Sequence, residues 1–497
     1  MPEDLRFAGY PTAAVFEKPS KARDSKALKQ LLWGDWIKIT GPKQGDFFPV
    51  QVRGVKGFVA SADMQKERLL ELIFVDIGQG DGCLLITPDD KIVIIDAGAG
   101  DNMARFLRWR FRGFFRRIDF EAAIFSHSDL DHYGGFADLF DQENLFFKNI
   151  YTNGLMERAA AKDTEILGKP KPNAGEKYIT DLVPDLTSLK SFFADPATFK
   201  GKKYPTMLKK ALDSGKFTNF KMLSVEDKFV PGFSATDGDV VMELLGPVPE
   251  TVSAAPALRW LGDVGKTKNG HSVVVRIRYG DVTIFAGGDL NIPSESLLLA
   301  HHAGAAAIPA TEAERLSLAE AARPKLSADF AKACHHGSAD VSRAFLTAIH
   351  PMATVISSGD NEAFSHPRAD TLGTIGKCSR GDRPAIFSTE LARSAPERIK
   401  HPQELHAELD KVIASLQTSL SAAERKKVDA SIQRLKKNLE RSVVTYGAIN
   451  LRTDGHRAVI AQKIEKPRGK KTEWDVYRFE KDAATGELAF FSKHEDE

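Results

Sequence analysis

Phe125-Ser126-His127-Ser128-Asp129-Leu130-Asp131-His132-Tyr133-Gly134-Gly135 sets two imidazoles and two carboxylates among small or apolar residues. It follows a β-like run, Ala122-Ala123-Ile124-Phe125, and ends in a Gly-Gly turn. A strand that stops there projects its last side chains from the end of a sheet, where open α/β sheets bind ligands. Donors this close in sequence converge on a cation only if the backbone turns, as it does at a strand end. Imidazole suits zinc, manganese or iron, and the carboxylates add hardness that favours manganese or magnesium. The plainer reading, a polar loop with an N-capping aspartate, leaves this density of ligands unexplained.

Three further clusters lie along the chain. Asn269-Gly270-His271-Ser272 precedes the predicted strands Val273 to Arg278 and Val282 to Ala286, and the second runs into Gly287-Gly288-Asp289. Lys332-Ala333-Cys334-His335-His336-Gly337-Ser338 is the third cluster. Asn361-Glu362-Ala363-Phe364-Ser365-His366-Pro367 is the fourth, after a predicted strand Ala353 to Ser358. Asp289 repeats the placement of Asp131, a carboxylate at a strand end beside glycines that permit close approach. Such a carboxylate can bridge two ions ~3.5–4 Å apart.

Upstream, Leu70 to Asp76, Cys83 to Thr87 and Lys91 to Asp96 read as strands around the glycine-rich turn Ile77 to Gly82. No Lys-Ser/Thr follows that turn, so it is not a nucleotide loop. These motifs together, His127-x-Asp129-x-Asp131-His132, Gly288-Asp289, His335-His336-Gly337-Ser338 and His366-Pro367, resemble the metallo-β-lactamase superfamily. With Phe74 to Asp81, and with Asn269 and Ser272 before the later strand, they most resemble the nuclease-like domain of ComEC-type DNA-uptake proteins. The resemblance covers residues 70 to about 395. It implies an α/β fold, an αββα sandwich with two divalent ions, zinc or manganese, at one edge.

Carried over residue by residue, the resemblance assigns His127 and Asp129 to one ion and Asp131 and His132 to the other. Asp289 would bridge, and His366 or one of His335 and His336 would complete the second ion. His271 is the one histidine in the interval where a further ligand is expected. Asp131 would orient an attacking water acidified by the ions, and His335 or His336 would protonate the leaving oxygen. Asn269, Ser338 and Lys332 are then expected to touch substrate.

Residues 1–66 read as a small β module, with Gly57-Phe58-Val59 resembling a strand of bacterial SH3-like barrels. Such a module would recruit a protein partner or simply pack on its neighbour. Residues 67–395 would form the catalytic unit, with helices and loops inserted at about 136–268, where no histidine occurs. In 396–497, Pro402 to Arg441 has helical spacing with a capping box at Ser421 and Glu424. Val443 to Leu451, Ala458 to Ile464 and Trp474 to Phe479 read as strands, the first returning to the catalytic sheet. Lys466 to Lys471 is a basic loop.

Composition narrows the classes. Among 497 residues, 69 Lys and Arg nearly balance 67 Asp and Glu, so net charge does not mark a nucleic-acid binder. Any phosphate-binding surface must be local, and the Arg-rich, aromatic segment 103–117 is the candidate. Three scattered cysteines argue against a disulfide framework. An acidic start without an apolar core, and no run near the ~20 residues that span a bilayer, predict a soluble cytoplasmic protein without membrane partner. Three functions follow: a metal-dependent phosphodiesterase or nuclease, a hydrolase of small esters, lactones or phosphoesters, and an interaction protein recruited through the N-terminal module.

Overall fold

Apolar side chains alternate along the central strands, and the two faces of that alternation feed two different cores. In the strand Leu70–Phe74, the residues Leu70, Leu72 and Phe74 pack toward a second sheet, while Ile73 packs toward helices. The structure, a computed structural model, describes residues 4–22, 25–359, 364–390, 402–439, 442–465 and 472–491. Asn361 to Ala363 of the fourth cluster and the basic loop Lys466 to Lys471 lie outside the described residues.

The first sheet has ten strands, in the order Phe217–Met222, Leu145–Thr152, Ile118–Ile124, Ile92–Ala97, Gly82–Ile86, Leu70–Phe74, Ile449–Thr453, Ala458–Lys463, Trp474–Lys481 and Leu488–Phe491. The second has six, in the order Val240–Gly246, Val274–Tyr279, Val282–Ala286, Phe330–Lys332, Ala353–Ile356 and Ala385–Ser388. Residues such as Leu85, Val93, Val275, Ile284 and Val355 fill the space between the sheets. The helices Asn102–Phe111 and Lys203–Asp213 cover the outer face of the first, and Ile292–Ala303, Glu312–Leu326 and Arg343–Ile349 that of the second. The layers run α/β/β/α.

Three expectations change. Residues 136–268 are not only helices and loops: Leu145–Thr152 and Phe217–Met222 extend the first sheet in parallel, and Val240–Gly246 edges the second. Val443–Tyr446 is a helical turn, with the returning strand confined to Ile449–Thr453. All four residues of that turn are buried, so the segment shows no period and its β-branched residues mislead. The arginines of the helix Asn102–Phe111 are engaged by neighbouring groups, while Arg112, Arg116 and Arg117 of the turn after it are exposed. Arg105 pairs with Asp101 at 3.2 Å, Arg110 with Glu71 at 3.0 Å and Arg117 with Asp119 at 2.7 Å. Arg108 donates to Gln142 at 2.7 Å and lies 5.1 Å over the Phe114 ring.

The N-terminal residues form a seven-stranded antiparallel sheet with its own core, including Val15, Leu31, Ile37 and Val50. It joins the ten-stranded sheet through Leu32, Trp33, Leu69, Val459 and Trp474. Arg452, 1% exposed, crosses that junction. It donates to the Trp33 carbonyl at 2.5 Å and pairs with Asp35 at 3.1 Å and Glu71 at 3.4 Å. Burial would raise the Glu71 carboxyl, yet Arg110 and Arg452 hold it below its ordinary value.

Two outcomes follow from these buried charges. Arg452→Met leaves Asp35 and Glu71 short of a cation and should lower unfolding free energy by ~3–5 kcal/mol in urea titrations. A loss below about 1 kcal/mol, the range of an exposed pair, would show the network to be dispensable. Glu295 is fully buried in the helix Ile292–Ala303, and burial pushes its carboxyl up to about 8 although the Ser342 N–H donates to it at 2.7 Å. Its folded value exceeds the unfolded one, so its stabilising contribution is complete below pH ~4.3 and lost as pH rises through about 8. Thermal melts of Glu295→Gln should therefore gain on the parent between pH 6 and pH 9. A constant difference would contradict the shift.

Candidate metal centre

Parallel pairing brings the first set of donors together. Ile92–Ala97 and Ile118–Ile124 run side by side, so Asp96 and the Ser126-His127 turn leave the sheet at the same rim. The chain then enters a short helix, Leu130–Tyr133, which carries Asp131 and buries His132 completely. Asp96 accepts from the Ser126 N–H at 2.8 Å and hydroxyl at 2.6 Å, and sits 2.9 Å from His132 Nδ1. It fixes the imidazole and leaves Nε2 as the outward atom. Gly80 closes the turn opposite: at φ +94°, an added Cβ would lie 1.7 Å from the Asp131 carbonyl.

The second sheet supplies the rest. Val282–Ala286 ends before Gly288-Asp289, and Phe330–Lys332 before the His335-His336 pair. His335 and His336 both occupy the left-handed region, at φ +49° and +54°, a strained conformation that persists where surroundings enforce it. The enforcing contacts are the His335 N–H donating to the Gly288 carbonyl at 3.1 Å and His336 Nδ1 bonding the Ser357 carbonyl at 3.1 Å.

Asp289 stands between the two histidines, its Oδ2 3.2 Å from His132 Nε2 and 3.2 Å from His336 Nε2. Asp131 lies 3.6 Å from His336 Nε2, and Asp81 3.3 Å from His336 Nδ1. His127 stacks at 4.1 Å on His132. Donor atoms of His127, His132 and Asp289, of Asp131, His132 and His336, of Asp81, Asp289 and His336, and of Asp81, Asp96 and His132 each lie within 4.8 Å of one another. Asp289 Oδ1, His132 Nε2 and His336 Nε2 are buried without a hydrogen-bond partner. Buried donors and acceptors normally find partners, so this concentration of unpaired atoms fits a divalent cation.

Electrostatics point the same way. Burial alone would lower the imidazoles, but Asp289, helped by Asp96 and Asp81, holds His132 well above its ordinary value and pushes His336 up to about 10. Burial opposes ionisation of Asp81, yet Lys332 and His336 hold it down to about 2. Ionised carboxylates gathered here demand positive charge, and protons on the imidazoles compete with a metal for that role.

Several expected residues stand apart. His271 is not brought to the cluster: its Nε2 lies 2.7 Å from the Arg259 carbonyl, and burial lowers it to about 4. Asp129 contacts the Lys268 ammonium, and the Asn269 amide donates to its second oxygen at 2.8 Å. Lys332, expected to touch substrate, is 3% exposed and donates to the Gly288 carbonyl at 3.0 Å while pairing with Asp81. Ser338 accepts from the Asp340 N–H at 3.2 Å. His335 lies at the mouth, 3.9 Å from Asp289, and its ring is 5.8 Å from that of His366. Asp81, Asp96 and Lys268 are the residues the sequence reading missed. A lone aspartate in a glycine turn or at a strand end looks like a turn former, and a lysine in a polar helix looks solvated.

Removing the orienting carboxylate tests this geometry. Asp96→Asn should weaken binding of Mn²⁺ or Zn²⁺ by about 10–100-fold in calorimetric titrations while the fold persists. Affinity equal to that of the parent would remove Asp96 from the site.

Comparison with known proteins adds an independent line. No curated protein matches the chain. Residues 83–145, which carry Asp96 and the His127 to His132 motif but stop short of Asp289 and the His335-His336 pair, match the sequence model of the Metallo-beta-lactamase superfamily.

Proposed function

We propose that this protein is a metal-dependent hydrolase acting on phosphodiesters. The observation that carries the hydrolytic reading is the set of unpaired buried donors around Asp289, joined to the superfamily match over the first half of the site. His132, His336, Asp289 and Asp131 would hold a divalent ion, with His127 and Asp81 beside them. Such an ion, when bound, supplies Lewis acidity toward an ester oxygen and lowers the pKa of a water.

The chain's own residues do the remaining work. Asp131, its side chain 23% exposed, reaches from the cluster to the mouth and would accept a proton from an attacking water. His335 faces the same mouth, 3.9 Å from Asp289, and its imidazolium form would give a proton to a leaving oxygen; burial lowers its pKa, which makes that form the stronger acid and the less populated one. Asp96 keeps His132 from turning.

The phosphodiester preference rests on the ComEC-like motifs and on the apolar groups at the mouth. Leu130 is 47% exposed, and Phe364, 68% exposed, stacks on His366 with centroids 6.0 Å apart. Aromatic faces of this kind take nucleobases regardless of sequence. A small phosphoester or lactone is the second reading, favoured because Arg105 and Arg110 are spent on Asp101 and Glu71. The N-terminal sheet, read as SH3-like, serves in this proposal as a packing support, since the Arg452 network ties it to the catalytic sheet.

The test is hydrolysis of single-stranded DNA, RNA, bis-p-nitrophenyl phosphate and small lactones with added Mn²⁺ or Zn²⁺. Cleavage of phosphodiesters, lost by ~10³-fold or more in Asp289→Ala, is the expected result. Cleavage of lactones or monoesters alone would establish the second reading.

A further inference from the structure

The sequence leads one to expect two ions, the first held by His127 and Asp129, with His271 the candidate for a further ligand. The donors at that end are diverted. His271 is turned onto the Arg259 carbonyl at 2.7 Å. One Asp129 oxygen contacts Lys268, and the other accepts from the Asn269 amide at 2.8 Å. His127 is then the one residue of the expected first set without such a competing partner, and its Nε2 stands 3.7 Å from the engaged Asp129.

At the other end three donor atoms lack hydrogen bonds, His132 Nε2, His336 Nε2 and Asp289 Oδ1, while Asp81 is paired with Lys332. The contrast lies within one cluster: unpaired atoms gather around Asp289, and satisfied atoms gather around Asp129.

Lys268 itself is built in. Its side chain is 12% exposed and touches Glu157 at 3.1 Å as well as Asp129. The Asp263 side chain caps the helix Val264–Gly270 that carries it, accepting from the Lys266 N–H. Held between two carboxylates, this ammonium has no charge left over for a substrate phosphate. It does have the charge and position to repel a dication from Asp129, because like charges at partly buried sites interact strongly.

Resting on the metal-dependent reading above, we infer that this chain holds one divalent ion rather than two. The Lys268 ammonium acts as a built-in cation in place of the ion at the His127 end. The single ion belongs to the Asp131, His132, His336 and Asp289 end. Lys268 is thus a positioning residue, setting the metal count through Asp129.

Counting metal tests this without any substrate. The full-length protein is stripped with chelator, dialysed against Mn²⁺, and measured by elemental analysis and by electron paramagnetic resonance. The parent should retain one Mn²⁺ per chain with an uncoupled six-line spectrum. Lys268→Met frees Asp129 and Glu157 and should retain two, with the spectrum of an exchange-coupled pair. Lys268→Gln, closer in shape, should do the same if the methionine variant does not fold. Two ions in the parent would overturn the inference and leave the hydrolase reading standing. One ion in the parent and in both variants would overturn the role of Lys268. No ion in the parent would overturn the inference and the hydrolase reading together.

Discussion

Carboxylates outnumber permanent cations at the rim where the two sheets meet, and the rest of the molecule is arranged around that imbalance. Asp81, Asp96 and Asp289 are all nearly inaccessible, and Lys332 is the one lysine buried among them among the described residues. An isolated buried charge costs many kcal/mol, so such a grouping persists only when paired with protons or a metal. Imidazoles placed against Asp289 can carry either.

The fold makes the convergence possible by ending strands from both sheets at one edge. Ile92–Ala97 and Ile118–Ile124 run parallel in one sheet, and Val282–Ala286, Phe330–Lys332 and Ala353–Ile356 run parallel in the other. Each delivers a carboxyl-terminal turn to the same rim. Main-chain crowding there is severe, which is why Gly80 meets Asp131 with no room for a Cβ. Distant segments contribute rigidity: Arg452 and Arg110 meet on Glu71, locking the N-terminal sheet, the returning strand Ile449–Thr453 and the helix Asn102–Phe111 into one unit.

Much of this was legible in the chain. Donors spaced on a strand-end turn announce themselves, so His127, Asp131, His132 and Asp289 stand out as candidates, whereas His335, His336 and His366 remain alternatives until the chain is folded, and alternating aliphatics mark the strands. What escaped depends on pairing between distant segments. Asp81 and Asp96 each stand alone in sequence and become site residues only when strands pair. Asp129 reads as a ligand until Lys268, far along the chain, arrives beside it. Arg110 suggests a phosphate contact because sequence cannot show that Glu71, far upstream, takes its guanidinium. Val443–Tyr446 looks like a strand because a segment buried on every side has no polar face to set its period.

Anomalous diffraction at the manganese edge, from crystals of the protein equilibrated with Mn²⁺, examines the centre most directly. A peak within bonding distance of Asp289, His132 Nε2 and His336 Nε2 is the predicted result. Bound manganese elsewhere, with Asp289 still packed against the two imidazoles, would contradict a metal centre at this rim.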